Sequence, residues 1–163
     1  MLRRTVLAMV LAIGSAGMAL PQAAADDTAK VEAAVSQFYV ALNAMFTGDL
    51  SLMKDVWSHG DDVTYMGPGG GFQVGWSQVL AEWEAQAAMK IGGQVEAEDM
   101  RITVGTTIAV THNFERGENM LAGAGQPQAV SIRATNIFRK ENGTWKMIAH
   151  HTDRLPFLTK PDE

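Results

Sequence analysis

The sequence contains no cysteine among its 163 residues. Disulfide bonds, thiolate metal sites and cysteine nucleophiles are therefore excluded, so any catalysis must use histidine, carboxylate, tyrosine or hydroxyl groups. Basic residues are also few, with 13 Lys and Arg against 18 Asp and Glu. A surface with this excess of acid repels nucleic acid and anionic lipid, and we predict no nucleic-acid partner. We also predict no cofactor.

The sequence has no apolar run long enough for a comfortable membrane span. Its longest run, over residues 6–20, is shorter than the roughly 20 apolar residues that a bilayer crossing needs. An arginine pair precedes this run, and Ala23 and Ala25 form an A-x-A cleavage motif after it. The pattern predicts a cleavable signal peptide over residues 1–25. We therefore expect a secreted or periplasmic protein that has no membrane contact after cleavage.

The predicted mature chain, residues 26–163, is long enough for one domain. A second helix is expected to end near Trp57, a short hairpin to occupy residues 63–74, and a third helix to run from Trp76 to about Lys90. A first helix over about residues 28–46 is indicated by apolar residues spaced three, four and seven apart, namely Val31, Val35, Phe38, Tyr39, Leu42 and Phe46.

The second part of the domain has the pattern of strands. The alternation of apolar residues changes parity near Asp99, which predicts a β-bulge in the first long strand. A strand over residues 106–114, a glycine-rich loop over residues 117–128 and a hairpin over residues 131–152 follow. This order predicts an α+β fold, in which a curved, mostly antiparallel sheet packs against three N-terminal helices.

The hairpin has an Asn142-Gly143 turn, the strongest local signal for a two-residue connection. Such a turn fixes the register, and counting outward from it defines two faces. One face then carries Phe138, Trp145 and Met147. The other face carries the opposed pairs Ile137 and Ile148, Thr135 and His150, and Arg133 and Thr152. A three-residue loop with a glycine bulge would instead place His151 opposite Arg133 and turn His150 outward, so His151 is the alternative to His150.

Several short motifs resemble the nuclear transport factor 2-like superfamily, specifically its SnoaL-like and ketosteroid-isomerase-like members. The resemblance implies a cone of curved sheet closed by three helices, with a pocket inside and often a dimer formed through the outer sheet face. The residues that carry it are Gly48-Asp49-Leu50, Asp61-Asp62-Val63-Thr64 with Gly67-Pro68, Gly75, and Arg133-Ala134-Thr135 followed by Arg139 and Asn142-Gly143-Thr144-Trp145.

The same resemblance excludes the steroid isomerase reaction. In those enzymes an Asp before the proline that follows the first strand is the general base, and Gly67 holds that position here. The acid that holds the oxyanion is matched by Thr135. Those enzymes also have a tyrosine on the first helix, and its position is matched here by Ala41 or Leu42. Tyr39 is near but out of register. Losing one positioned acid or base typically costs a factor of about 100 to 10,000 in rate, so we expect another function.

The resemblance places nine side chains in the pocket, and they are Trp57, Tyr65, Trp83, Arg133, Thr135, Ile137, Ile148, His150 and Thr152. By the hairpin register, Arg133, Thr135 and His150 form one polar cluster. A guanidinium inside a pocket needs an anionic counterpart, so the predicted ligand is small, partly apolar and able to carry negative charge. A metal site is not expected, because His150 and His151 are neighbours on a strand and point to opposite faces.

Two function classes remain open. A non-catalytic ligand-binding domain is favoured, because the predicted pocket contains neither a paired carboxylate nor a nucleophile-base motif. The alternative is an isomerase, hydrolase or lyase-like enzyme in which His150 transfers a proton. We also predict a homodimer that forms through the face of Phe138, Trp145 and Met147, since so large an apolar group is unusual on a solvated surface.

Overall fold

The protein is described by a computed structural model over residues 20–120 and 126–153, with side chains from residue 26 onward. The predicted order of elements is confirmed. Residues 1–19 of the predicted signal peptide lie outside the described residues, and its cleavage stays a prediction. The elements are α1 (Leu20–Phe46), α2 (Ser51–Val56), β1 (Thr64–Met66), β2 (Gln73–Val74), α3 (Trp76–Met89), β3 (Gln94–Val104), β4 (Ile108–Asn119), β5 (Gln128–Glu141) and β6 (Thr144–Asp153).

The six strands form one sheet in the order β2-β1-β6-β5-β4-β3. Strands β1 and β6 run parallel, and the other neighbouring pairs run antiparallel. The apolar stripe predicted for α1 is buried along its whole length, from Val31 to Phe46. The α+β prediction is therefore confirmed: the helices lie N-terminal to a curved open sheet. In the described part of the chain, no helix has both the length and the apolar character needed to cross a membrane.

The predicted bulge at Asp99 is confirmed, since the pairing of β3 with β4 shifts between Glu98 and Arg101 and Asp99 has a φ of 54°. The glycine-rich loop is shorter than predicted, because β4 continues through Gly117 to Asn119. Both neighbouring strands extend far enough to pair with this end of β4. Residues 121–125 of the loop lie outside the described range.

Gly117 has a φ of 154° and lies close to the backbone of β3. A Cβ atom at this position would be 2.0 Å from the carbonyl oxygen of Gln94. We therefore expect Gly117→Ala to lower the free energy of unfolding by more than about 1 kcal/mol, because the backbone must move. Gly69→Ala is the control, since no atom lies within 4 Å of its added Cβ. Denaturant unfolding measures both variants, and equal stabilities would contradict the close packing of β3 on β4.

The predicted two-residue turn is confirmed, with Glu141 opposite Thr144 and positive φ angles at Asn142 and Gly143. Farther along, however, the register shifts by one residue between Phe138 and Ile137. Phe138 pairs with Met147 and Ile137 pairs with Ala149, so that Ile148 is the extra residue of a second bulge. The predicted pairing of Ile137 with Ile148 is therefore wrong, because a count from the turn cannot include a bulge.

The same bulge overturns the two remaining predicted pairs. Thr135 pairs with His151, and Arg133 pairs with Asp153. Because a bulge reverses the side-chain alternation on one strand only, β6 directs Trp145 and Met147 inward before it and His150 and Thr152 inward after it. On β5 the alternation continues, so Arg133, Thr135 and Ile137 lie on the outer face.

The predicted dimer surface is also wrong. Phe138 and Met147 are 0% exposed and Trp145 is 5% exposed, all three within the core of a single chain. They therefore cannot offer an apolar surface to a second copy. Homodimer formation itself stays a prediction.

Candidate active site

A cavity of about 540 Å³ opens between the inner face of the sheet and helices α1 and α3. Four of the residues predicted for the pocket line it: Tyr65, Trp83, His150 and Thr152. Tyr65 and His150 are paired neighbours on the parallel strands β1 and β6, and their rings stack with centroids 5.7 Å apart. The volume lies in the range of small-molecule sites.

The other predicted pocket residues lie elsewhere. Trp57 is buried in the core, with its ring centroid 6.2 Å from that of Trp83, and Ile148 packs against the core at the second bulge. Arg133, Thr135 and His151 line a separate hollow of about 370 Å³ on the outer face of the sheet. Ile137 lies on that outer face as well. The predicted cluster of Arg133, Thr135 and His150 in one pocket is therefore wrong.

A ring of five polar side chains occupies the inner face where His150 lies. The Nδ1 atom of His150 lies 2.5 Å from Asn136 Oδ1, and Asn136 Nδ2 donates to Asn113 Oδ1 at 3.3 Å. Asn113 Nδ2 donates to the Tyr39 hydroxyl at 2.7 Å, and this hydroxyl donates to Glu115 Oε1 at 3.1 Å. The ring closes at His150 Nε2, which is 3.7 Å from Glu115 Oε1. Both Glu115 and His150 line the cavity.

Burial determines the protonation of the two titratable groups at the closing point of the ring. Desolvation raises the pKa of Glu115 to about 7, and the hydrogen bond from Tyr39 offsets only part of this rise. Desolvation, assisted by the charge of His151, lowers the pKa of His150 to about 3. Near neutral pH, His150 is therefore uncharged, and Glu115 is present in both its protonated and its ionised form.

The cavity wall is acidic. Glu82 and Glu115 belong to it, and the described residues that line it include neither Lys nor Arg. No group of three or more metal-ligating side chains occurs within residues 20–120 and 126–153. The wall therefore offers carboxyl, imidazole, hydroxyl and aromatic groups, which can transfer protons and form hydrogen bonds.

Gly67, at the position of the steroid isomerase base, has no room for a side chain. A Cβ atom there would lie 2.3 Å from the Tyr65 hydroxyl oxygen. This hydroxyl is held in place, because Gln86 Nε2 donates to it at 2.9 Å and the tyrosine is 1% exposed. Tyr65 thus fills the space into which a base at residue 67 would project.

Sequence reasoning missed the residues that form most of the ring. Asn113 and Glu115 are alternate residues of β4 whose side chains face the inside, while their neighbour His112 is exposed. Asn136 lies between two residues that were predicted for the pocket. The available signal was the alternation of polar side chains in Thr111-His112-Asn113-Phe114-Glu115, which by itself does not reveal which set faces the core.

Comparison with known proteins assigns the chain to a family. The sequence model of the SnoaL-like domain matches residues 31–153, well over half of the chain. The protein therefore belongs to the SnoaL-like family, within the nuclear transport factor 2-like superfamily. A search of curated protein sequences finds no match.

Solved structures share the fold. A nuclear transport factor 2-like protein from Streptomyces avermitilis, described as a candidate dehydratase, is 22% identical with a TM-score of 0.72, over 82% of this chain and 99% of its own. A Thiobacillus denitrificans protein, described as a candidate association domain of calcium/calmodulin-dependent protein kinase type II, is 26% identical with a TM-score of 0.64, over 76% and 94%. A nuclear transport factor 2-like superfamily protein from Salmonella enterica is 16% identical with a TM-score of 0.67, over 84% and 99%.

Proposed function

We propose that the protein is an acid-base enzyme that moves a proton on a small molecule bound in the cavity, with Glu115 as the proton-carrying group and the uncharged His150 beside it as a hydrogen-bond acceptor for that molecule. One observation carries this proposal: Glu115 Oε1 and His150 Nε2 lie 3.7 Å apart on the cavity wall, and both side chains are almost fully buried. A buried pair of this kind lies within reach of a bound molecule and is shielded from water.

The protonation of the pair suits this role. A general acid or base is most effective when its pKa is near the working pH, and burial brings the pKa of Glu115 to about 7. The lowered pKa of His150 keeps its ring uncharged near neutral pH, so a ring nitrogen can accept a hydrogen bond from the substrate while Glu115 carries the proton. The absence of a paired carboxylate favoured simple binding when only the sequence was considered. The glutamate and histidine pair now favours the enzyme.

The proposed substrate is uncharged and partly apolar. The prediction of an anionic ligand depended on Arg133, which lies on the opposite face of the sheet. Glu82 and Glu115 would repel an anion, and no cation among the described lining residues would offset them. Leu42, Phe46 and Trp83 supply apolar surface. The signal-peptide pattern supports an activity in the periplasm or outside the cell.

One solved structure with the same fold supports this reaction class. The Streptomyces avermitilis protein is described as a candidate dehydratase, a reaction class that requires proton transfer. Tyr65 fills the position of the steroid isomerase base, so the proposed enzyme would use Glu115 from another strand. The reaction class we propose is therefore proton transfer of the isomerase or lyase type, without the steroid isomerase arrangement.

Proton exchange in D₂O tests this function. The protein is incubated with a panel of small uncharged ketones, hydroxyketones and lactams, and their C–H signals are followed by ¹H NMR. We expect faster exchange or conversion of at least one compound, and loss of this effect in Glu115→Gln. Glu118→Gln, an exposed change on the same strand, is the matched control. Binding of panel compounds without exchange or conversion would contradict catalysis and support the ligand-binding function.

A further inference from the structure

The hydrogen-bond ring has a fixed direction, which a backbone carbonyl determines. Asn113 Nδ2 donates to the carbonyl oxygen of Phe114 at 2.9 Å. A carbonyl oxygen can only accept, so the amide group of Asn113 cannot be reversed. Its Oδ1 atom must therefore face Asn136, which must present its own Nδ2 group there. The same Nδ2 group also donates to Thr111 Oγ1 at 3.1 Å.

This direction determines which nitrogen of His150 carries the proton. Because both donors of Asn136 are directed to β4, its Oδ1 atom faces His150 Nδ1 at 2.5 Å. An oxygen acceptor there requires a proton on Nδ1. In the uncharged ring, Nε2 then has a free lone pair. No described residue lies within hydrogen-bonding distance of Nε2, since Glu115 Oε1 is 3.7 Å away.

Two hydrogen-bond donors of the cavity are also unused. Thr152 Oγ1 and Trp83 Nε1 are buried and have no hydrogen-bond partner among the described residues. Both residues line the cavity, and Thr152 is on the same strand and face as His150. Buried polar groups are rarely left unpaired, so each of these two donors lacks an acceptor that a bound molecule can supply.

We propose that the cavity is built for an uncharged molecule that carries an N–H or O–H donor beside an acceptor oxygen, the donor directed to His150 Nε2 and the oxygen to Thr152 or Trp83. Lactams, primary amides and hydroxyketones have this combination, whereas simple ketones and ethers lack the donor and carboxylates add a charge. This inference rests on the proposed function only in using the same cavity. Asn136 is a positioning residue, because it acts through His150.

A matched pair of probes tests the ligand class. δ-Valerolactam has both groups, and in its N-methyl derivative a methyl group replaces the donor hydrogen. We expect the N-methyl derivative to bind about tenfold or more weakly in ligand-observed NMR titrations, since a buried acceptor would stay unpaired. Valerate, which is anionic, should bind more weakly than the lactam. Equal binding of the two lactams, or no binding of either at millimolar concentration, would overturn the proposal.

A variant of Thr152 separates the acceptor contact from the donor contact. Thr152→Val keeps the shape of the side chain and removes an unpaired hydroxyl, so the fold should be retained. This change should weaken the binding of both lactams severalfold and leave the ratio of their two affinities unchanged. Thr103→Val, an exposed change on β3, is the control. If Thr152→Val binds both lactams as tightly as the wild type does, and Trp83→Phe does too, the acceptor half of the proposal is wrong.

The tautomer of His150 is measured separately. The ¹⁵N chemical shifts of the imidazole should show a proton on Nδ1 and none on Nε2, and Asn136→Leu should remove this preference. A protonated Nε2 in the wild type would overturn the proposed arrangement. These readouts need no turnover: lactam binding without proton exchange would contradict the catalytic function and leave the ligand class intact.

Discussion

Replacing Phe138 by alanine is expected to lower the free energy of unfolding by about 3–5 kcal/mol, the usual cost of truncating a fully buried aromatic side chain. Phe138 is 0% exposed and belongs to the same core as Met147, its partner across the hairpin. The cost has two parts: the lost transfer of the ring out of water, and the cavity that rigid neighbours cannot close. Urea or guanidinium unfolding monitored by circular dichroism gives the value.

The adjacent residue is the control for this prediction. The Ile137 side chain points to the opposite face of β5 and is only partly buried. Ile137→Ala should therefore cost less than half as much as Phe138→Ala. The reverse order would show that the outer face is the buried one. A large cost for both, with a wild-type stability that rises with protein concentration, would indicate that a second copy covers the outer face.

The hairpin shows how far local sequence signals reach. The Asn142-Gly143 turn was predictable, because only residues that tolerate positive φ suit such a connection. The bulge at Ile148 was not. Met147, Ile148 and Ala149 are all apolar, so the pattern shows no change of parity there. The bulge at Asp99, by contrast, could be predicted because apolar residues change parity there.

The inner face of β4 and β5 shows the second limit of sequence reasoning. The usual rule assigns apolar side chains to the core, but the side chains of Val110, Phe114 and Ile137 point outward. The inside is occupied by Thr111, Asn113, Glu115 and Asn136. Asn136 donates to Thr111 and Asn113, and Glu115 accepts from the Tyr39 hydroxyl. Such an inverted pattern is stable only when the hydrogen-bond partners of the buried polar side chains come from distant parts of the chain, here α1 and two strands. Local propensity cannot reveal that arrangement.

The ring therefore predicts a stability cost that depends on pH. The pKa of Glu115 is near 4.5 in an unfolded chain and about 7 in the folded protein. Between these pH values the native state holds a proton that the unfolded state has lost, so the contribution of Glu115 to stability falls as pH rises and stays low above pH 7. His150 has the opposite effect between about pH 3 and 6.5, because its pKa is lowered in the folded protein. The two effects partly cancel in the wild type.

Glu115→Gln removes the titration of Glu115 and keeps His150 in place. Glutamine has the same shape and can accept the hydrogen bond from Tyr39, but it never ionises. The variant should match the wild type in stability near pH 4 and exceed it by about 3 kcal/mol at pH 8, the free energy that corresponds to the shift in pKa. Equal stability at pH 8 would mean that the pKa of Glu115 is not raised in the native protein, as would result if a protonated His150 stabilised the carboxylate.

The same substitution is expected to remove the activity. A glutamine cannot donate and accept a proton at this position, and the loss of a general acid or base typically lowers a rate by a factor of about 100 to 10,000. Glu115→Gln should therefore be more stable at pH 8 and almost inactive in the D₂O exchange assay, while it still binds δ-valerolactam through His150 Nε2 and Thr152. A stabilised variant with full exchange activity would assign proton transfer to His150 alone. A variant that loses both binding and activity but keeps its fold would make Glu115 a binding group.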